Sequence, residues 1–311
     1  MVTALLTHPD CLNHKTPSGH PERIARLERV LEALEHPEFD ELLRKKAPLV
    51  ADDDLLRVHP REHVMDIRDS VPDGGIAQIE ADTYMSSGSL AAAYRAAGAN
   101  VRAVDLVLSG EVQNAFAAVR PPGHHAERQT PMGFCLFGSV AVAANYALDV
   151  HGLKRVAIID FDVHHGNGTQ DLVEEDPRIL FTSTHQMPLY PGTGSADETG
   201  AANNVLNVPL GAGTDGAAMR RAYQEEIFPF VRRFKPEMIF ISAGFDAHRA
   251  DPLAGLNWVT EDFVWLTEQI CDLAAQTCAG RVVSSLEGGY DLDALAEAVA
   301  AHVRILMERS R

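Results

Sequence analysis

Residues 156–168 read Val-Ala-Ile-Ile-Asp-Phe-Asp-Val-His-His-Gly-Asn-Gly, and the fold is decided there. Val156 to Ile159 is a wholly apolar run rich in β-branched residues, as in a strand buried on both faces of a parallel sheet. Five polar groups follow at once: Asp160, Asp162, His164, His165 and Asn167. In an extended segment residues i, i+2 and i+4 share one face, so Asp160, Asp162 and His164 can converge. Gly166 and Gly168 then free the chain to turn away. Ligands of open α/β sheets lie beyond the carboxyl ends of strands, and Asp-x-His joins a carboxylate to an imidazole, donors that suit zinc. Acids that merely cap a following helix would account for one Asp, not for this cluster.

Outward from this stretch the chain alternates between strands and helices. Strands are expected at Thr3–Thr7, Phe116–Val119, Ile179–Thr184, Val205–Leu210, Met238–Ser242 and Val282–Leu286. Helices are expected from Ile24 to Leu34, Leu90 to Leu108, Ser139 to Val150, Ala217 to Phe234, Phe263 to Leu273 and Leu292 to Met307. On the first of these, Arg23, Arg26 and Arg29 read as a solvated face. Asp52–Asp54 and Pro72–Gly75 read as loops. Such alternation predicts a three-layer α/β/α domain with a central, mostly parallel sheet. No linker, repeat or low-complexity stretch divides it, so residues 1–311 read as a single domain.

Composition narrows the function. A 46% hydrophobic content suits a globular core, and no apolar run approaches a membrane span. The amino-terminal residues lack the basic-then-apolar pattern of a secretory signal. Four scattered cysteines, Cys11, Cys135, Cys271 and Cys278, read as reduced thiols, and a cytoplasmic location is the expectation. A net charge of -17 speaks against a nucleic-acid partner, since phosphate binding needs basic surface; it favours approach of a cationic substrate, or serves solubility alone.

Other chemistry-bearing residues fall in the loops after the expected strands. His124 and His125 follow one strand, Asp162 and His164 the next, Asp246 another and Tyr290 the last. Two aspartates and a histidine make three ligands and leave a fourth position open, as a catalytic zinc requires. His124 and His125 then serve as general base and acid, Asp160 and Asn167 as acceptors that fix their tautomers, and Tyr290 as a donor to an oxyanion. Singly, each residue is as readily a surface turn or a packed ring; their common placement carries the reading.

Four stretches, Arg120-Pro-Pro-Gly-His-His-Ala126, Asp160–Gly168, Ser242-Ala-Gly-Phe-Asp246 and Glu287-Gly-Gly-Tyr290, resemble the zinc-dependent histone deacetylase family with its arginase-like fold. The likeness runs from about His14 to the last helix and is nearest the class II branch and its bacterial amidohydrolase relatives. It implies one zinc ion held by Asp162, His164 and Asp246. It implies His125 as base and acid beside Asn167, His124 as its electrostatic partner beside Asp160, and Tyr290 on the scissile carbonyl. Asn167 fits class II, where class I carries Asp. Gly133, Phe134 and Tyr190 resemble the walls of an acyl-lysine channel, and Arg26 an arginine on the acetate path. Structural potassium would lie at Asp160, Ser183 and Thr184 with main-chain oxygens of Asp162 and His164. A second, weaker cation site would lie near Val173, Asp176 and Ile179.

The implied reaction is zinc-dependent hydrolysis of the amide of N-acetyl-lysine, in a protein or peptide, to lysine and acetate. An acetylpolyamine amidohydrolase is the alternative, but Leu253 stands where polyamine-selective members carry a gatekeeping Glu. A non-catalytic acyl-binding protein comes third, because every catalytic position is filled. Asp82 loosely resembles the rim acid that holds a substrate amide. The expected partner is an acylated lysine peptide or small cationic amide, with neither nucleic acid nor membrane.

Overall fold

The computed structural model describes residues 2–310. Its strands, in chain order, are β1 (Thr3–Thr7), β2 (Leu43–Lys46), β3 (Ile76–Gln78), β4 (Tyr84–Ser86) and β5 (Asn114–Ala117). They continue as β6 (Val156–Asp160), β7 (Ile179–Gln186), β8 (Val205–Leu210), β9 (Ile239–Ala243) and β10 (Val282–Leu286). Eight of them form one sheet in the order β2-β1-β5-β10-β9-β6-β7-β8, parallel throughout; β3 and β4 pair as a separate antiparallel hairpin. Strands β5, β6, β9 and β10 are buried along their whole length, which is why they read as unbroken runs of apolar and small residues.

Helices flank the sheet. Those from Ile24 to Ala33, Thr260 to Cys278 and Leu292 to Arg309 pack together in one group, and those from Ser89 to Leu108, Ser139 to Asp149 and Asn167 to Val173 in another. This is the α/β architecture that the alternation predicts. Among the described residues no helix is long and apolar enough to cross a membrane.

Departures from the sequence reading have local causes. Strand β2 escapes it because Leu-Arg-Lys-Lys is an edge strand whose alternate residues face water. Asp52–Leu55 is a short helix rather than a loop, with three acids in its first turn beside the positive end of the helix dipole. The strand expected at Phe116–Val119 begins two residues earlier, at Asn114. The long helix over Ala217–Phe234 carries a π-turn at Tyr223–Ile227 immediately ahead of Pro229, which has no amide hydrogen to continue the α pattern.

One buried polar group gives the fold a measurable acid sensitivity. His302 lies wholly inside, hydrogen-bonded to Thr267 Oγ1 (2.7 Å) and Ser284 Oγ (2.9 Å) among the rings of Phe116, Phe161 and Phe245. Burial lowers its pKa from 6.5 to about 3. The unfolded chain therefore takes this proton first as pH falls, so the neutral ring's stabilisation is complete above pH 6.5 and is lost from there downward. At about 1.4 kcal/mol per unit, unfolding free energy should fall by roughly 2–3 kcal/mol between pH 6.5 and 4.5 from this residue alone. Urea titrations across that range should show a shallower slope for His302→Gln; an unchanged slope would remove His302 from the account.

Candidate active site

The order β5-β10-β9-β6 makes neighbours of the four strands whose carboxyl ends carry the polar loops. Register sets Asp160 beside Ser242 on one side and Ser183 on the other, and Ser285 beside Ser242. Loops that are far apart in sequence are thereby delivered to one place.

Asp162, His164 and Asp246 are buried there, with one ligand atom from each lying within 4.8 Å of the others. His164 Nδ1 is 3.1 Å from Asp162 Oδ1 and 3.2 Å from Asp246 Oδ2. The other carboxylate oxygens are pinned by backbone: Gly288 N–H donates to Asp162 Oδ2 (2.8 Å) and Val163 N–H to Asp246 Oδ1 (2.9 Å). Gly288 is obligatory, because a Cβ there would lie 2.1 Å from Asp246 Oδ2. Burial pushes the Asp246 carboxyl up, and the charge of Asp162 pushes it further. Burial acts likewise on Asp162, but the His124 and His164 charges outweigh it and hold Asp162 ionised. Two crowded carboxylates and an imidazole form a donor set that a divalent cation satisfies.

The two histidines differ. Burial disfavours the His124 cation, but the charges of Asp162 and Asp160 outweigh burial and hold its pKa well above the usual value. Its Nδ1 donates to Asp160 Oδ2 at 3.1 Å. Burial, with the neighbouring charges of His124 and His164, instead drives His125 well below the usual value, leaving it neutral. Asn167 orients that ring. Its Nδ2 donates to Glu127 Oε1 (2.7 Å), so its Oδ1 faces His125 and accepts from Nδ1 (2.7 Å). The proton is thus held on Nδ1, and Nε2 is the acceptor nitrogen. Glu127 escaped the sequence reading because no motif marks it; the amide geometry reveals it.

Above this floor lies a cavity of about 240 Å³ lined by Asp82, His125, Gly133, Phe134, His164, Leu189, Tyr190, Leu253 and Tyr290. All four expected channel residues are present, and Leu189 is an addition. Asp82 lines the mouth, but its Oδ1 accepts from Gly133 N–H and Thr83 Oγ1, both at 2.9 Å, so it also braces the wall. Gly133 and Phe134 both have positive φ, +55° and +70°, and a Cβ on Gly133 would strike the His125 ring. Tyr290 is placed by Asp251, whose Oδ2 accepts from its backbone N–H (2.7 Å), while Asp251 Oδ1 accepts from Leu253 N–H (2.9 Å). Burial keeps the Tyr290 phenol protonated, although the Arg26 charge opposes this.

Arg26 corrects the solvated face expected for its helix. It is fully buried, while Arg23 is exposed and Arg29 half-buried. Its guanidinium lies 4.8 Å from the centre of the Tyr290 ring and donates to Glu22 and to the carbonyls of Glu287 and Gly289. Glu22 also binds Arg120, so two arginines share one buried acid. Of the residues named for potassium, Asp160 and Ser183 are register partners across β6 and β7. Asp160 and Ser183 are fully buried, Thr184 almost so, and the main-chain oxygens of Asp162 and His164 accept no hydrogen bond among the described residues.

Comparison with known proteins bears on this geometry. Residues 20–306 match the family described as Histone deacetylase domain. The chain is 44% identical to "Histone deacetylase 10, chloroplastic" of Oryza sativa subsp. japonica, over 93% of this chain and 70% of that protein. It is 38% identical to a "Probable deacetylase" of Archaeoglobus fulgidus, over 94% and 82%. The crystal structure of the HDA15 HD domain superposes with a TM-score of 0.94 at 35% identity, covering 99% of this chain and 88% of that one. Fold and relatives together define a hydrolytic enzyme that acts in deacetylation. The chain belongs to the histone deacetylase family. The expected cytoplasmic location is overturned: the rice relative is named chloroplastic, and buried free thiols occur in any reducing compartment.

Proposed function

We propose that the chain, as one catalytic domain over residues 1–311, hydrolyses the amide of N-acetyl-lysine in a protein or peptide with zinc on Asp162, His164 and Asp246. One observation carries the reading: an apolar-walled cavity ends on a floor that combines the ligand trio with a neutral imidazole and a protonated phenol. Phe134, Leu189, Tyr190 and Leu253 sheathe the methylene stem and exclude water from it. Zinc, when bound, supplies Lewis acidity toward water and the acyl carbonyl. His125 takes the proton of the attacking water at Nε2 and returns it to the departing lysine nitrogen. The Tyr290 hydroxyl donates to the oxygen that gains negative charge. His124, a cation fixed on Asp160, stabilises that charge from behind. Arg26 lies under Tyr290 on the path assigned to acetate, and Asp82 stands at the rim. A potassium ion at Asp160, Ser183 and Thr184 would satisfy the free carbonyls of Asp162 and His164 and hold the ligand loop. Zinc-loaded protein should turn over a fluorogenic acetyl-lysine peptide and be blocked by a hydroxamate; no turnover with metal bound would sink the proposal.

Leu253 favours lysine over a polyamine, because an aliphatic wall has no group to pair with a distal ammonium. Leu253→Glu should therefore shift the ratio of kcat/KM for acetylputrescine over acetyl-lysine peptide upward. A charge-assisted hydrogen bond of about 1.5–3 kcal/mol corresponds to roughly 10–100-fold. A ratio that stays put, or one that already favours acetylputrescine in the parent, would replace the lysine reading with the polyamine one.

A further inference from the structure

The second cation position implied by the family likeness does not fit this chain. Three main-chain carbonyls, of Val173, Asp176 and Ile179, converge where the helix ending at Val173 passes into β7. The Asn204 amide stands among them: its Nδ2 is 2.9 Å from Val173 O, 3.0 Å from Asp176 O and 2.7 Å from Ile179 O. These are hydrogen-bond lengths, so the nitrogen occupies the centre of the oxygen cluster. Asn204 is buried, and its own main-chain oxygen is committed to Phe181 N–H at 2.9 Å. Its Oδ1 points away and has no partner. An amide turned the other way would set a fourth oxygen against three, which is repulsive unless a cation lies between them.

We infer that this chain carries one monovalent cation site rather than two, the Asn204 side chain acting as a built-in substitute for the second ion by tying Val173, Asp176 and Ile179 to the start of β8. This rests on the amide geometry and stands whether or not the acetyl-lysine reading holds. Two amide hydrogens serve three carbonyls, so one is shared. The arrangement trades the strength of a bound ion for independence from salt. Asn204 also borders an open cavity of about 290 Å³ with Pro177, Leu180 and Phe230, which gives ions a route to the carbonyls once the side chain is shortened.

Rubidium tests the inference directly. Anomalous diffraction from crystals of the zinc-loaded protein grown in rubidium chloride should show no peak at the Val173, Asp176 and Ile179 oxygens. A peak there, with Asn204 Oδ1 turned toward it, would overturn the inference. In solution, Asn204→Ala should respond to the cation more strongly than the parent, whose single site already responds: Tm should rise on replacing choline chloride with potassium chloride by at least about 2 °C more than in the parent. An equal response of variant and parent would also overturn it. Should the variant fail to fold, the diffraction experiment on the parent decides alone.

Discussion

Tyr290→Phe should lower kcat on an acetyl-lysine peptide by about 10²–10³-fold, the effect of deleting one donor to a developing oxyanion. KM should hardly move, since the ring and its contacts with Phe134 and Arg26 remain. Zinc content, measured on the same sample, should equal that of the parent, because Tyr290 is outside the ligand trio. The split is diagnostic: a hydroxyl acting only on the transition state changes kcat and kcat/KM together. A variant that keeps full turnover would show that the carbonyl is polarised without Tyr290, and the non-catalytic reading would return if the parent were equally inert.

The second large effect concerns the metal. Zinc should raise the Tm of the parent, and Asp246→Ala should abolish that rise and weaken zinc binding by more than the roughly 100-fold typical of losing an outer-shell partner. Removing Asp246 also withdraws the acceptor of the Val163 amide, so the ligand loop loses an anchor together with a donor. Without metal the difference narrows, because Asp246 and Asp162 crowd each other. The metal-free variant should therefore lose less stability relative to the metal-free parent than the variant loses relative to the parent in zinc, read by urea unfolding in chelator and in zinc. Relief of that crowding offsets part of the lost Val163 bond. A variant that binds zinc as tightly as the parent would remove Asp246 from the ligand set.

The sequence exposes those parts of the molecule in which one strand carries its own signal. Val156–Ile159 and Ile239–Ser242 are buried on both faces, so their composition alone marks them, and the polar residues just beyond mark the site. Strands β2 and β3 have no such mark, since alternate residues of each are exposed, and β4, though largely buried, is only three residues long. Ion pairs across the fold are equally hidden. Glu22 reads as one more exposed acid until Arg120, 98 positions later, closes on it. Glu127 becomes visible only through the orientation it imposes on Asn167, and Asn204 only through three carbonyls contributed by a different segment. Arg26 was misplaced by periodicity, which sees a helix's own faces but not what packs over them.

The last strand in chain order among the described residues, β10, lies in the middle of the sheet, between β5 and β9. Without it, β2-β1-β5 on one side and β9-β6-β7-β8 on the other have no strand to join them. Tyr290 and the glycine that abuts the ligand trio arrive with that closing strand. Activity should thus switch on only once β10 has inserted, and catalysis should report closure of the sheet.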